Sequence, residues 1–333
     1  MQTVPKKSEG FNRKRSVIPG YSLPYEPIPQ QLYTPVTLFQ GFKPDEPASW
    51  GRTVDFAIYR HFVMEGRDAP TNPYFGMMQA LHDNAIMQCT KMLIAGRRIA
   101  AIMGDHTMRR DSDVYRDIAI LSRRLTRSGF LMCSGGGSGA MEASHLGASL
   151  APGADPDLEE ALALLKTKPV VPALRNIINS RGLVNPVLVA QAYEWFKPAY
   201  EISAAISSPG QSLAFPTWHY GHEPATPFAT HIAKYFQDSI REDGLLALAK
   251  HGIIFFEGKT GTIQEIFQDG NQNYYKMFDR FSPMVLFGVE YWTTKYPVVG
   301  VLKKLFTRPE FKKYVLVTDD VAAAARFIEK FAM

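Results

Sequence analysis

Two short apolar runs constrain this chain most, because each ends in a glycine-rich turn and opens onto a helix-like pattern. The first is Phe130-Leu-Met-Cys133, leading into Ser134-Gly-Gly-Gly-Ser-Gly139. The second is Ile253-Ile-Phe-Phe256, leading into Glu257-Gly-Lys-Thr-Gly-Thr262. An unbroken apolar run of this length fits a strand buried on both faces, as in a parallel sheet. Parallel neighbours need a crossover, and a tight turn into a helix begins one.

The rest of the chain repeats the pattern. Residues 99–103 form a further apolar run that ends at Gly104. Asp113 is placed to cap the next helix, whose buried face carries Ile118, Leu121, Ser122 and Leu125 before Gly129 ends it. A strand is expected to resume the sheet at 212–216, followed by a long helix over 230–250 with Ile232, Tyr235, Phe236, Ile240, Leu245 and Leu248 inward. A helix after the second glycine turn runs to about residue 278, strands fall at 284–289 and 314–318, and a helix over 320–331 closes the chain. Residues 152–210 differ: helices at 155–165 and 184–196 are separated by prolines, which reads as an insertion. Before residue 50 the chain is proline-rich and extended, with Tyr21, Tyr25, Tyr33 and Phe39 as anchors, and a helix over 75–95 packs on the main domain. The expectation is an α/β, Rossmann-like doubly wound parallel sheet with helices on both faces. An N-terminal extension and helix take residues 1–95, and the nucleotide-binding domain takes 96–333 with its insertion at 152–210.

Composition narrows the function. With 46% hydrophobic residues among 333, a large core can form, while no apolar run reaches membrane-spanning length. Two cysteines, Cys89 and Cys133, support neither a disulfide framework nor a metal-type spacing, and Cys133 reads as a small buried side chain. A polar N-terminus without an apolar signal core points to a cytoplasmic protein that does not enter a membrane. Net charge +5 is modest and forms no continuous basic stripe with aromatics, so nucleic acid is not an expected partner.

Two familiar loops are imitated and rejected. Gly258-Lys-Thr260 resembles the end of a P-loop, but the glycine required five residues upstream is Ile253, and the intervening run is strand-like. Gly135-x-Gly137-x-x-Ala140 fits a loose dinucleotide fingerprint, yet a strand and helix already precede it. No nicotinamide or other cofactor is expected. His219-Tyr-Gly-His222-Glu223 suggests a metal site, but its glycine neighbour makes it a loop rather than a helical ligand pair. No metal is expected there, and the loop is placed to touch a base.

What both glycine turns do offer is free backbone amides at a helix N-terminus, which favour a phosphate or other anion. Glycine also lets the backbone approach a ligand. If the two turns lie at the C-terminal ends of parallel strands, they share the edge where open α/β sheets bind ligands.

Ser134-Gly-Gly-Gly-Ser-Gly-Ala-Met-Glu-Ala143 with Gly147-Ala148 resembles the GGGxGxMEA…GA signature of the LOG-type phosphoribohydrolases, once labelled lysine decarboxylase-like. Glu257-Gly-Lys-Thr-Gly-Thr-Ile-Gln-Glu265 resembles that family's second signature, PGGxGTxxE. The likeness covers residues 98–331 and is strongest to the bacterial nucleotide 5′-monophosphate nucleosidases. It implies hydrolysis of the N-glycosidic bond of a nucleoside 5′-monophosphate, AMP-like, to free base and ribose 5-phosphate, in a homodimer or higher homo-oligomer. Glu265 matches the family's catalytic glutamate and Arg241 its arginine. Gly258, Gly261 and Thr262 would hold phosphate, while Gly104, Ser134, Gly135, Gly136, Gly137, Gly139 and Met141 would line the ribose and base. Two positions depart from the pattern: Glu257 replaces a proline and Lys259 a glycine. They keep open an alternative in which the fold binds nucleotide without turnover. Thr262-x-x-Glu265 also fits a helix capping box, and Glu142 fits either a second acid or a helix-capping residue.

Overall fold

The computed structural model describes residues 22–278 and 281–331. Tyr21, expected as an anchor, lies outside the described residues. Seven strands form one all-parallel sheet: β1 (Arg98–Met103), β2 (Phe130–Ser134), β3 (Ser212–Ala214), β4 (His231–Ile232), β5 (Ile253–Phe255), β6 (Met284–Phe287) and β7 (Val315–Thr318). Their order is β4-β3-β2-β1-β5-β6-β7. The chain therefore winds outward from β1 to one edge, returns beside β1, and winds outward to the other edge. This is the Rossmann-like doubly wound fold, and its switch point lies between β1 and β5.

Strand alternation explains the layers. Ala100, Ile102, Met132, Ile254 and Val285 face one side, packed under the helices Asp113–Arg127, Ala140–Ser149, Asp155–Leu165 and Val321–Phe331. Ile99, Ala101, Met103, Cys133, Ile253 and Phe255 face the other, beneath Pro73–Ile94, Asp238–Leu248, Thr260–Tyr274 and Val298–Leu305. Side chains at i and i+2 share a face in a strand, so each strand feeds both cores.

A third core lies beyond the β4 edge. Tyr25, Phe39, Trp50, Tyr59 and Phe62 from the N-terminal segment pack with Phe196 of the helix Pro186–Ala205 and with Trp218 and Phe236. Tyr33 exchanges backbone bonds with Ile232, Tyr33 N to Ile232 O at 3.0 Å and Ile232 N to Tyr33 O at 2.8 Å, which covers the outer edge of β4. Within this core Lys234 Nζ donates to both oxygens of Asp55, at 2.7 and 2.9 Å, and Trp218 Nε1 donates to Asp55 at 2.9 Å.

Three local expectations need correction. Residues 230–250 are not one helix: β4 occupies His231–Ile232, and the helix starts only at Asp238. The mostly apolar stretch 232–236, broken only by Lys234, suits a strand as well as a helix, and the partners that decide it, Tyr33 and Ala214, are remote in sequence. The helix expected at 184–196 runs over Pro186–Ala205, straight through Pro198. Burial of Phe196, Pro198 and Ala199 compensates the missing amide bond. Ser112, not Asp113, caps the helix Asp113–Arg127, accepting from Tyr115 N at 3.2 Å.

Candidate active site

At the switch point the C-terminal ends of β1 and β5 diverge and leave a cleft of about 380 Å³. That is within the size of small-molecule sites, and the position is where open α/β sheets bind ligands. Gly104, Asp105 and His106 after β1, Gly135 and Gly137 after β2, Thr217, Tyr220 and Glu223 after β3, and Lys259 to Thr262 after β5 line it. Arg241 and Glu265 enter from the helices Asp238–Leu248 and Thr260–Tyr274.

Of the residues singled out in the sequence, Glu265, Arg241, Gly261, Thr262, Gly104, Gly135, Gly137 and Met141 come together in this cleft. Gly258, Ser134, Gly136 and Gly139 do not line it. They instead shape the turns that border it. Gly258 has no room for a side chain, because a Cβ would collide with Thr262 Oγ1 and would lie 2.6 Å from Thr262 Cβ. Its carbonyl accepts from Tyr291 Oη at 2.8 Å, which holds the turn. Gly136 sits at φ +73°, where a Cβ would lie 2.6 Å from the Cβ of Ala214. Gly139 at φ +66° lets the chain press against the carbonyl of Asp105. Both conformations favour glycine. Ser134 is buried, its Oγ 2.8 Å from His145 Nε2 and accepting from Gly136 N at 3.1 Å. His145 Nδ1 meets Ser212 Oγ at 2.9 Å. Burial pushes this imidazole down to about 3, so it joins β2, β3 and the helix Ala140–Ser149 as a neutral group.

The helices Ala140–Ser149 and Thr260–Tyr274, which open from the two glycine turns, both begin without a side-chain cap. The helix Thr260–Tyr274 makes its first bond from Ile263 N to Lys259 O at 2.9 Å. The amides ahead of it face the exposed turn, and the helix dipole adds positive potential there. Lys259 lines the cleft beside them. Because the helix begins at Thr260, Thr262 lies inside its first turn and is not its cap, so the Thr262–Glu265 capping box does not form.

Glu265 is the most perturbed carboxyl in the cleft. Burial pushes it up to about 7, while Arg241 draws it down and Glu242 and Asp238 push it up. Arg241 is itself held by Asp238, donating from Nε at 3.1 Å and Nη2 at 2.7 Å. The loop before this helix is anchored from the N-terminal segment: Asp83 accepts from Phe236 N at 2.9 Å and Gln237 N at 2.9 Å.

Glu257 and Glu142 are placed away from the cleft. Glu257 does not line the cleft, and its Cγ would lie 3.9 Å from a Cβ on Gly288. Glu142 is fully buried, taking Arg110 on both oxygens at 2.6 and 2.7 Å and Tyr115 Oη at 2.8 Å. Arg110 continues to the carbonyl of Trp195 at 2.8 Å and stacks on that ring at 3.8 Å, fastening the insertion beneath the first glycine turn. Burial also pushes the Cys133 thiol up.

Sequence reasoning passed over Asp105, His106 and Thr217, which enter the cleft because β1 and β3 end beside it. The loop placement of 219–223 did carry a signal, since it brings Glu223 to the cleft wall. His219 instead turns to Asp68, Nδ1 to Oδ2 2.6 Å. Neither a family model nor a curated protein matches the chain.

Proposed function

We propose that the protein is a hydrolase that cleaves the N-glycosidic bond of nucleoside 5′-monophosphates, releasing free base and ribose 5-phosphate. The observation that carries this reading is Glu265, a carboxyl raised to about 7 in a cleft shared with Arg241 and an uncapped helix N-terminus. Cleaving a ribosyl C–N bond builds positive charge on the sugar, as glycoside hydrolysis does. A carboxylate beside the ribose stabilises that charge, and one titrating near neutrality takes a proton from water with little penalty.

The 5′-phosphate rests on the amides of Thr260, Gly261 and Thr262, with Lys259 adding charge. Gly258 fixes Thr262 from behind. Arg241 keeps part of Glu265 ionised and presents forked donors to an anion. Gly104, Gly135, Gly137 and Met141 form the surface for ribose and base, while Ser134, Gly136 and Gly139 set the shape of that turn. The resemblance to the LOG-type family supports the same assignment, and it supports a homodimer or higher homo-oligomer and an AMP-like substrate. Among the described residues, no helix is long and apolar enough to cross a membrane. Cytoplasmic residence is part of the proposal.

Incubation with a panel of nucleoside monophosphates, followed by chromatography for free base, tests the activity. Base release that disappears in Glu265→Gln supports it, and equal release by a folded Glu265→Gln protein sinks the assignment. Binding of a monophosphate without release would favour the non-catalytic reading that Glu257 and Lys259 raise. The position of Glu257 outside the cleft argues against that reading.

A further inference from the structure

Hydrolysis of a nucleotide needs more than an attacked carbon, because the departing base leaves poorly unless it accepts a proton. Besides Glu265, the carboxyls of Asp105, Glu223 and Glu242 line the cleft, and Glu223 is the one carried by the turn after β3, on the side where a base would lie. Sheet order puts the turn after β5, with its phosphate-binding amides, on one side of β1, and the turns after β2 and β3 on the other. A nucleotide with its phosphate on the β5 turn and its ribose at Glu265 therefore extends its base toward the β2 and β3 turns. Glu223 stands there. Its Oε2 would lie 3.8 Å from a Cβ on Gly137, so only a glycine surface separates it from the space beside Met141.

The loop that carries Glu223 is fixed. Thr226 N donates to Gly136 O at 2.9 Å, and Glu223 N donates to Tyr220 O at 2.8 Å. His106 Nε2 lies 3.7 Å and His222 Nε2 3.8 Å from Glu223 Oε1, both beyond an ordinary hydrogen bond. The carboxyl is thus flanked but not neutralised, with about a quarter of its side chain, 26%, exposed to the cleft.

We propose that Glu223 is the general acid that protonates a purine leaving group, which rests on the hydrolase reading above. In the step, the C1′–N9 bond breaks and its electron pair passes into the base. The Glu223 O–H gives its proton to N7 of the purine. Water supplies its oxygen to C1′ and a proton to Glu265, so base and ribose 5-phosphate leave as neutral base and sugar phosphate. Solvent then returns the proton from Glu265 to Glu223. Burial raises the Glu223 carboxyl against the lowering influence of His106, Arg241 and Arg175, which favours the protonated form that the step needs. The His222 imidazole is pushed down to about 4 by burial and nearby cations, so it supplies no charge to hold Glu223 ionised near neutrality.

The test compares GMP with 7-methylguanosine 5′-monophosphate, whose N7 is already blocked and cationic and whose base leaves without an acid. Glu223→Gln is expected to slow GMP hydrolysis on the order of 10²-fold, while the 7-methyl substrate changes by less than about threefold. Equal losses on both substrates, or no loss on either, would overturn the proposal. A measurement on the unaltered protein gives an independent check. The GMP rate should fall as pH rises through the Glu223 ionisation, and the 7-methyl rate, once corrected for that base's own N1–H ionisation near neutrality, should lack that alkaline limb. Matching profiles would again count against Glu223. Wild type that frees base from no nucleoside monophosphate, AMP included, sinks the hydrolase reading itself, and the Glu223 assignment with it, whereas a failure confined to the variant comparison removes Glu223 alone.

Discussion

In the proposed reaction Glu265 has two roles that normally conflict, because the burial that would tune it for proton transfer also disfavours its charged form. Its carboxyl titrates near 7 in the folded chain, against an ordinary value of 4.5. The folded state therefore holds this proton more tightly than the unfolded chain, and stability falls as pH rises from about 4.5 through 7. Glu265→Gln should accordingly be more stable than wild type at pH 8, by about 2 kcal/mol after allowance for water in the cleft, with no difference near pH 4. Urea unfolding at both pH values checks this, and an advantage that is the same at both would contradict it. Arg241 has the opposite electrostatic sign. Its removal in Arg241→Ala takes away a charge that lowers Glu265, so the acid limb of the rate profile should move to higher pH. A limb that stays in place would show that the two groups do not interact.

The two helices behind the first glycine turn cross closely enough to make single atoms matter. Gly147 on the helix Ala140–Ser149 packs against the backbone of Ala119 on the helix Asp113–Arg127, where a Cβ would collide with the carbonyl oxygen and lie 2.8 Å from its carbon. Backbone cannot move aside as a flexible side chain does, so Gly147→Ala should cost roughly 1–3 kcal/mol through overpacking. Thermal unfolding reads that loss, and a variant as stable as wild type would mean that the helices separate freely. The helix carrying Arg241 depends on another element in a similar way. Asp83, on the helix Pro73–Ile94, accepts the amides of Phe236 and Gln237 just before it starts. Asp83→Ala leaves the buried Phe236 amide unpaired, which should destabilise by about 1–3 kcal/mol and raise KM for the monophosphate, since Arg241 loses its support. Unchanged KM in a folded Asp83→Ala protein would detach the N-terminal helix from the site.

For the molecule as a whole, the N-terminal segment acts as a wall of the third core. Asp55 and Lys234 join it to the sheet edge, and both are almost fully buried, with side chains 6% and 1% exposed. Removing one partner strands the other charge, so Asp55→Ala should cost about 3–5 kcal/mol. The double replacement Asp55→Leu with Lys234→Met should recover most of that loss, because it removes both desolvation costs together. Double-mutant unfolding measurements decide the point, and purely additive losses would show that the pair is not coupled.

Much of this architecture is readable along the chain, because its cause is local. Apolar runs at 99–103, 130–133 and 253–256, punctuated by glycine, specify buried parallel strands with helices between them. The glycine turns after β2 and β5 also mark the cleft, because close backbone approach there requires residues without side chains. Other features depend on partners that sequence order does not reveal. Residues 231–232 become a strand only because Tyr33 and Ala214 offer backbone partners on either side. Pro198 stays inside a helix because two cores bury its surroundings. Glu142 is a structural anchor because Arg110 and Tyr115 converge on it, and Glu257 leaves the cleft for the side of Gly288 and Tyr291. Local pattern and backbone stereochemistry thus determine the strand–turn–helix units and the two glycine turns. Only tertiary packing decides which side chains face the cleft, how Glu265 is desolvated and where Glu223 stands, because those properties arise from contacts between distant segments.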